Sequence, residues 1–172
     1  MNANPHPIKL FLCGPSGGGK HLVASVLAEH HGFTTIHLSD YCRAACRRLG
    51  WHPTRANLQH AGDHLRRAHP AALAHLALTE PVPPDASGAV VVGVRLLAEA
   101  EALQSAGWTG IGAWANERTR TERLRRRGEP FDDSHPTERE VMEIVVQHLV
   151  ATDTGNLAAE VERVLARLRG GF

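Results

Sequence analysis

Gly14-Pro15-Ser16-Gly17-Gly18-Gly19-Lys20 is the stretch of sequence that decides the predicted fold. It matches the pattern G-x-x-x-x-G-K, in which glycines let backbone N–H groups wrap around a phosphate while the lysine reaches the outer phosphates. An apolar run, Ile8 to Cys13, precedes the loop as a buried strand, and residues 22–29 follow it with helical spacing. Because strand, loop, lysine and helix stand in the required order, we predict a nucleotide-binding loop rather than a chance glycine-rich turn.

The lysine within the loop supports this prediction. The chain contains only two lysines, Lys9 and Lys20, against 17 arginines, so a lysine at this position indicates a specific need. The start of the following helix adds partial positive charge at the same place. We therefore predict that residues 14–22, which include His21 and Leu22, bind a nucleotide. Lys20 is predicted to contact its outer phosphates.

One residue departs from the usual pattern. A Ser or Thr normally follows the lysine and binds Mg²⁺ through its hydroxyl group, but here the residue is His21. An imidazole is a poor ligand for a hard ion that prefers oxygen. The sequence thus predicts nucleotide binding more directly than it predicts Mg²⁺-assisted phosphoryl transfer.

Length and composition restrict the class of protein. With 172 residues, of which 42% are apolar and 22% charged, the chain is predicted to form one globular domain, residues 1–172. The net charge of +1 gives no overall attraction for nucleic acid or an anionic membrane, and no apolar run approaches a membrane span. The N-terminus lacks the features of a signal peptide, and the odd number of three cysteines fits reduced thiols, so we expect a cytoplasmic protein.

Strand-like and helix-like segments alternate along the chain. Further strands are predicted at residues 33–38, 89–94 and 108–114, and residues 148–152 fit either a fifth strand or a helix end. This alternation predicts a three-layer α/β fold, in which a parallel five-stranded sheet has helices on both faces. Ligands of such a fold bind at the carboxyl ends of the strands, where the glycine-rich loop lies.

Polar residues mark several helix ends. Ser39 or Asp40 is predicted to open the helix after the second strand, while Thr54 and Asn156 are predicted to cap two later helices. Residues 137–147 are predicted to be helical as well. The charged helix 117–127 is followed by a polar connection from Glu129 to Pro136, which we expect to be flexible.

The chain resembles the P-loop kinases of the nucleoside-monophosphate kinase and dephospho-CoA kinase type, and among them a small archaeal and bacterial adenylate-kinase-like branch. The resemblance covers nearly the whole chain and implies substrate-binding helices at about 40–80 and a small arginine-containing lid at about 117–140. Beyond the glycine-rich loop it is carried by the order and spacing of four segments: Ser39-Asp40-Tyr41-Cys42-Arg43, Pro53-Thr54-Arg55-Ala56-Asn57-Leu58-Gln59, Gly93-Val94-Arg95 and Glu122-Arg123-Leu124-Arg125-Arg126-Arg127-Gly128.

The resemblance implies roles for several charged residues, with ATP and Mg²⁺ as co-substrate and metal. Arg43 and Arg95 would hold the anionic group of the acceptor. Asp40 would orient or deprotonate the acceptor oxygen, or hold Mg²⁺ through water. Arg123 and Arg127, four positions apart on one helix face, would close onto the donor phosphates as a lid. With Lys20, the residues Asp40, Arg123 and Arg127 form the predicted catalytic set.

Each of these side chains also has a structural interpretation. Asp40 can serve only as a helix cap, Arg43 and Arg95 can be ordinary surface residues, and the arginines within 118–127 can form a solvated face or a local nucleic-acid patch. The aspartate that precedes Gly-x-Arg in the related kinases is Val92 here. With His21, this removes two expected supports for Mg²⁺, which would then be held by nucleotide phosphates, water and, as one option, Asp40.

Three hypotheses about function follow. The first is a phosphotransferase that moves the γ-phosphoryl group of ATP to a nucleoside monophosphate or a similar small anionic acceptor. The second is a catalytically degenerate nucleotide-binding protein with a sensing or docking role, which His21 and Val92 favour. The third is a kinase of a hydroxymethylated nucleotide or of such a base in DNA, which the arginine-rich helix keeps open and the near-neutral charge disfavours. The sequence indicates no membrane partner and leaves the oligomeric state undetermined.

Overall fold

A parallel five-stranded sheet forms the centre of the molecule, and the computed structural model describes residues 7–129 and 136–170. In chain order the strands are β1 (Ile8–Cys13), β2 (Phe33–His37), β3 (Gly88–Val94), β4 (Thr109–Trp114) and β5 (His148–Ala151). The helices are α1 (Lys20–His31), α2 (Leu38–Arg48), α3 (Arg55–Arg66), α4 (Ala72–Leu78), α5 (Leu97–Ser105), α6 (Glu117–Arg126), α7 (Pro136–Glu140) and α8 (Leu157–Gly170).

The order of the strands places the glycine-rich loop at the middle of the sheet. The strands pair in the order β2-β3-β1-β4-β5, and all four pairings are parallel. The chain therefore leaves β1 between two strands that come later in the sequence. Such a reversal in strand order opens a crevice at the carboxyl ends of the strands, and this is where ligands of open α/β sheets bind.

Helices cover both faces of the sheet, as predicted. Alternate residues of β1 point to opposite sides, so that Phe11 joins the core formed with α2–α5, while Leu10 and Leu12 join the core formed with α1 and α8. All three side chains are fully buried. Burial on both faces explains the continuous apolar runs Leu10–Cys13 in β1 and Ala89–Val92 in β3, which are typical of parallel sheets.

Several helices end at residues that are typical of helix ends, and the two predicted caps, Thr54 and Asn156, are confirmed. Gly32 ends α1 in the left-handed conformation, and the Thr54 hydroxyl accepts a hydrogen bond from the backbone of Asn57 at the start of α3. Asn156 accepts from the backbone of Ala159 at the start of α8. The three cysteines, Cys13, Cys42 and Cys46, are buried as expected and form no disulfide.

Two local predictions are wrong. Helix α2 begins at Leu38 rather than at Ser39 or Asp40, and His37, which ends β2, stands at the cap position. The predicted helix over residues 137–147 is limited to α7, because the residues after it are tied to the sheet: the Gln147 side chain accepts a hydrogen bond from Gly110 of β4 at 2.8 Å. Residues 148–151 form the edge strand β5. Of the two predictions for residues 148–152, a fifth strand or a helix end, the strand is therefore confirmed.

The predicted lid is only partly described. Helix α6 and α7 lie within its predicted bounds, but residues 130–135 of the polar connection between Glu129 and Pro136 lie outside the described residues. None of the helices in the described ranges has the length and apolar character needed to cross a membrane.

Candidate active site

The glycine-rich loop connects β1 to α1 and packs against the ends of two neighbouring strands. Gly14 and Gly19 have φ angles of +133° and +93°, which side-chain-bearing residues rarely adopt. A Cβ atom at Gly14 would lie 2.3 Å from the carbonyl oxygen of Ala113, and one at Gly19 would lie 2.4 Å from Oγ1 of Thr152. Both glycines are therefore required by backbone conformation and by close approach to the residues at the ends of β4 and β5.

Lys20 is buried within the curve of the loop. Its Nζ donates to the carbonyl oxygens of Gly14 at 2.5 Å and Pro15 at 3.0 Å. Burial, followed by the positive charge of Arg95, lowers the pKa of Lys20 to about 7, while the charge of Glu138 acts in the opposite direction. An anionic ligand in the loop would favour the protonated ammonium and supply the negative charge that the buried lysine lacks.

Two arginines of α6 donate hydrogen bonds to backbone carbonyl groups of the loop. The Arg120 side chain is buried, and its Nε donates to the carbonyl oxygen of Ser16 at 2.9 Å. Arg123 donates from Nη1 to the carbonyl oxygen of Gly17 at 3.0 Å, and from the same guanidinium to the hydroxyl and carbonyl oxygens of Thr152. Arg123 thus bonds to a backbone carbonyl group of the loop and to Thr152. Its closure onto the donor phosphates stays a prediction.

The remaining arginines of this run face elsewhere. Arg127 is exposed and lies along the cavity described below, with Nη2 3.8 Å from a carboxylate oxygen of Glu129. Arg125 and Arg126 pair with Glu122, and Arg126 also lines the cavity. The helix therefore combines a loop-anchoring face with a solvated face. The interpretation of the arginine run as a nucleic-acid patch stays a prediction.

A large cavity opens in front of the loop, and we call it the central cavity. Its volume is about 1020 Å³, and it extends from Lys20 between α2, α3 and the carboxyl end of β3. Its lining carries a surplus of positive charge, since Lys20 and seven arginines face three carboxylates. The arginines are Arg43, Arg55, Arg66, Arg95, Arg123, Arg126 and Arg127, and the carboxylates are those of Asp63, Glu129 and Glu138. A chain of nearly neutral net charge thus concentrates positive charge where an anionic ligand would enter.

The predicted acceptor residues are not all brought to this cavity. Arg43 and Arg95 line it, but Asp40 does not. Asp40 lies in the first turn of α2, its side chain is 63% exposed, and its Oδ1 accepts from Nη1 of Arg43 at 2.6 Å. The structure therefore places Asp40 as an exposed partner of Arg43, and its role towards an acceptor or a metal stays a prediction.

Two buried glutamates form contacts that the sequence did not reveal. Glu138 of α7 accepts hydrogen bonds from the backbone N–H and hydroxyl of Ser16 and pairs with Arg95. Glu99 of α5 pairs with Arg66 at 2.8 Å and accepts from the backbone N–H of Arg95 at 3.1 Å. Neither glutamate belongs to a recognisable motif, and Ser16 and Glu138 are 122 residues apart in the chain.

For Arg120 the sequence did carry a signal. Arg120 and Arg123 lie three positions apart on one face of α6, beside buried Leu124, so helical spacing alone could have separated them from Arg125. Thr152 carried no such signal, because its contacts with the loop depend on where the edge strand β5 ends.

The residues where Mg²⁺ ligands are expected do not form a metal site. His21 stacks on His37 with ring centroids 5.2 Å apart, and burial lowers the pKa of His21, with further contributions from His37 and Lys20. Val92 is buried at the end of β3. The described ranges contain no group of three His, Cys, Asp or Glu residues that could hold a metal ion. The loop and Lys20 fit a nucleotide phosphate, whereas His21 and Val92 offer no side-chain oxygen to Mg²⁺.

Comparison with known proteins identifies the family. A UPF0200 protein of Aeropyrum pernix is 35% identical over 127 residues, which cover 73% of this chain and 67% of that protein. A UPF0200 protein of Hyperthermus butylicus is 30% identical over 181 residues, which cover 96% of this chain and 97% of that protein. The chain belongs to the UPF0200 family. No protein-family model matches it.

Solved structures show which fold this UPF0200 chain has. Shikimate kinase from Acinetobacter baumannii, in complex with shikimate, superposes with a TM-score of 0.61 at 14% identity over 95% of this chain and 94% of that one. Shikimate kinase from Aquifex aeolicus gives 0.61 at 18%, covering 95% and 97%. A gluconokinase from Sinorhizobium meliloti gives 0.54 at 18%, covering 95% and 97%. The UPF0200 chain therefore has the P-loop kinase fold predicted from its sequence.

Proposed function

We propose that the protein is an ATP-dependent phosphotransferase that moves the γ-phosphoryl group of ATP to a small anionic acceptor, such as a nucleoside monophosphate. The observation that carries this proposal is the position of buried Lys20. It lies in a glycine-rich loop that opens directly onto a cavity with a surplus of arginines. Phosphoryl transfer requires charge neutralisation and positioning more than covalent chemistry, and this arrangement supplies both.

The donor side of the site is formed by the loop and by the start of α1. Backbone N–H groups of the loop and the positive end of the helix dipole would bind the β- and γ-phosphates of ATP. Lys20 would exchange part of its contacts with the carbonyl oxygens of Gly14 and Pro15 for phosphate oxygens. Arg120, Arg123 and Thr152 would keep the loop in shape without touching the nucleotide.

The acceptor side is the part of the central cavity that faces Arg95 and Arg43. Arg95 follows the end of β3, the strand beside β1, and its guanidinium would hold the acceptor's anionic group near the loop. An oxygen of the acceptor would then form a bond to the γ-phosphorus while the bond from that phosphorus to the β,γ-bridging oxygen breaks and ADP leaves. A small acceptor agrees with the names of the similar structures, shikimate kinase and gluconokinase.

The proposal assigns no protein ligand to Mg²⁺. Neither His21 nor Val92 offers a side-chain oxygen atom, and Asp40 lies outside the cavity lining. A magnesium ion that arrives with ATP would be held by phosphate oxygens and water. The residues of the chain contribute binding, orientation and positive charge.

The experiment that tests the proposal is ADP release from Mg-ATP against a panel of acceptors, with Lys20→Ala run in parallel. The panel contains ribo- and deoxynucleoside monophosphates, dephospho-CoA, hydroxymethylated nucleotides and hydroxymethylated DNA. The matched control is Lys9→Ala, since Lys9 is the other lysine of the chain and is exposed on β1. Release that an acceptor stimulates, that Lys9→Ala retains and that Lys20→Ala loses would support the proposal. Stimulation by hydroxymethylated DNA or nucleotide alone would identify the modified-nucleotide kinase instead.

A second candidate is a nucleotide-binding protein without transferase activity. The observation that favours it is His21 at the position after Lys20, together with buried Val92, because neither side chain supplies an oxygen to Mg²⁺. This candidate predicts Lys20-dependent ATP binding with no release of ADP for any acceptor. It also predicts that His21→Ser combined with Val92→Asp creates activity in an otherwise inert protein. Strong acceptor-dependent turnover by the wild type would eliminate it.

A further inference from the structure

We infer that the Glu138 carboxylate is an internal competitor for an oxyanion subsite of the loop, formed by the N–H and hydroxyl of Ser16 and the guanidinium of Arg95. A ligand whose oxyanion enters this subsite must first displace Glu138. The inference rests on the proposed phosphate-binding role of the loop and adds a residue that limits access to it.

The contacts of Glu138 resemble those of a bound anion. Oε2 accepts from the backbone N–H of Ser16 at 2.8 Å, Oε1 accepts from the Ser16 hydroxyl at 2.6 Å, and Arg95 pairs with the same Oε1. The side chain is 2% exposed. One carboxylate therefore accepts hydrogen bonds from three donors beside the loop, and two of these donors belong to Ser16 of the loop itself.

These donors are suited to a phosphate as well as to a carboxylate. A backbone N–H of a glycine-rich loop, a hydroxyl and an arginine bind phosphate oxygens through the same charge-assisted hydrogen bonds that they form with a carboxylate. They cannot serve both at once. Since Glu138 and a ligand oxyanion use the same donors, the binding of one reduces the apparent affinity for the other.

The charge state of Glu138 is consistent with this competition. Burial alone would raise the pKa of its carboxyl group, but the charge of Arg95 and the hydrogen bonds from Ser16 outweigh burial, and the pKa lies below its ordinary value. Glu138 is thus an anion near neutral pH. It partly compensates the positive charge of Lys20 and Arg95 in the absence of a ligand.

Helix α7 has other anchors that hold it in place. The Glu140 side chain accepts from the backbone N–H of Leu97 at 2.8 Å, and Val141 and Ile144, just after α7, are buried in the core beside α5. These contacts hold the segment in addition to those of Glu138. The Glu138 side chain can therefore leave the subsite by rotation while the helix stays docked.

The test measures the binding of inorganic pyrophosphate, without Mg²⁺, by titration calorimetry. Glu138→Gln keeps the size of the side chain but replaces the anion with a weaker, neutral acceptor, so we expect pyrophosphate to bind at least about fivefold more tightly than to the wild type. Unchanged or weaker binding would overturn the inference, and weaker binding would make Glu138 a positioning residue for the ligand.

Two controls separate competition from a general change in charge. Asp63→Asn removes a carboxylate that lines the same cavity, and Glu143→Gln removes an exposed one from the segment after α7. Within the described residues neither side chain has a hydrogen bond to the loop, so we expect Asp63→Asn to increase the affinity by a smaller factor than Glu138→Gln does, and Glu143→Gln to change it by less than about twofold. An increase in affinity for Asp63→Asn equal to that for Glu138→Gln would replace competition by long-range electrostatics and overturn the inference.

The design also distinguishes failure of the inference from failure of the proposed function. If the wild type binds pyrophosphate and Lys20→Ala does not, the phosphate site stands and Glu138→Gln decides the inference alone. If neither the wild type nor Glu138→Gln binds pyrophosphate or ATP, both proposals fail. Glu138→Ala is the second variant, with the same expected direction. If thermal unfolding shows that neither variant folds, the contact is structural and the inference is wrong.

Discussion

Arg123 is bonded to Thr152 twice, with Nη1 2.9 Å from the threonine hydroxyl oxygen and Nη2 2.7 Å from its carbonyl oxygen. The same hydroxyl donates to the carbonyl oxygen of Gly18 at 2.8 Å, and Nη1 of Arg123 also reaches the carbonyl oxygen of Gly17. Helix α6 and the end of β5 thus hold the loop at two successive carbonyl groups. The shape of the loop depends on residues more than 100 positions away in the chain.

This network predicts different effects for the two arginines that the sequence assigned to the lid. We expect Arg123→Ala to lower the free energy of unfolding by about 2 kcal/mol, because it leaves partly buried carbonyl groups without a donor. Arg127→Ala removes an exposed side chain and should change that free energy by less than about 0.5 kcal/mol. Urea denaturation of both variants measures the difference.

Nucleotide binding provides the second half of this comparison. Arg123→Ala should also weaken ATP binding, because the loop loses these hydrogen bonds. Arg123→Lys should recover only part of the ATP affinity, because one ammonium group cannot make both contacts with Thr152. If Arg123→Ala is as stable as the wild type but loses turnover, Arg123 acts on the donor phosphates as the sequence predicted, and the anchoring role is wrong.

The lowered pKa of Lys20 predicts proton uptake on nucleotide binding. In the empty site the pKa is about 7, so at pH 8 most molecules carry a neutral lysine. Triphosphate charges favour the ammonium form, so binding at pH 8 should take up about one proton per site, and the affinity should fall as the pH rises above about 7. Titration calorimetry in Tris and in HEPES, which differ in ionisation enthalpy, measures this number.

Lys9→Ala is the control for this measurement, because Lys9 is exposed at the sheet and does not line the cavity. Its proton uptake should equal that of the wild type. Equal binding enthalpies in both buffers at pH 8, with ATP bound, would mean that Lys20 is already protonated in the empty site.

Gly19 offers a test of how tightly the loop is packed. Its φ of +93° is unfavourable for alanine, and a Cβ atom would lie 2.4 Å from Oγ1 of Thr152. Gly107 has a similar φ of +82° but no atom within 4 Å of the same position, so Gly107→Ala reports the backbone strain alone. We expect Gly107→Ala to lower the free energy of unfolding by about 1 kcal/mol and Gly19→Ala by at least about 2 kcal/mol. Equal losses in urea denaturation would show that Thr152 moves away at little cost.

The parts of this molecule that were predictable from sequence are those fixed by neighbouring residues. The succession of β1, glycine-rich loop and α1 follows from an apolar run, from glycines and from helical spacing, all within one short stretch. The caps at Thr54 and Asn156 are equally local, because a side chain there bonds to a backbone group three positions on. Such features need no knowledge of the tertiary structure.

The parts that were missed depend on contacts between distant segments. Residues 141–147 have enough apolar side chains to continue a helix, but Gln147 bonds to β4, and the Val145 carbonyl accepts from Gln104 of α5. Glu138 and Ser16 meet only because α7 docks beside the carboxyl end of β1. No periodicity or motif in either segment encodes that docking, so the contact became visible only in the folded chain.

Arg95 provides the prediction that bears most directly on the acceptor. It lines the cavity just after the end of β3, where an acceptor would bind. Its guanidinium also pairs with Glu138, which in turn bonds to Ser16 of the loop. We expect Arg95→Ala to raise the KM for the acceptor, or lower kcat, by at least about tenfold, which corresponds to the loss of one charge-assisted contact. The affinity for ATP should fall by a smaller factor, because the N–H and hydroxyl of Ser16 remain in the loop subsite that Arg95 completes. The matched control is Arg125→Ala, which removes the same charge from an exposed pair with Glu122 outside the cavity and should leave acceptor kinetics unchanged. Steady-state kinetics with the acceptor identified by ADP release, together with ATP titrations of both variants, make the comparison. Equal acceptor kinetics for Arg95→Ala and the wild type would remove Arg95 from the acceptor site, whereas a joint loss of ATP and acceptor binding would place its main action on the loop, through Ser16 and Glu138.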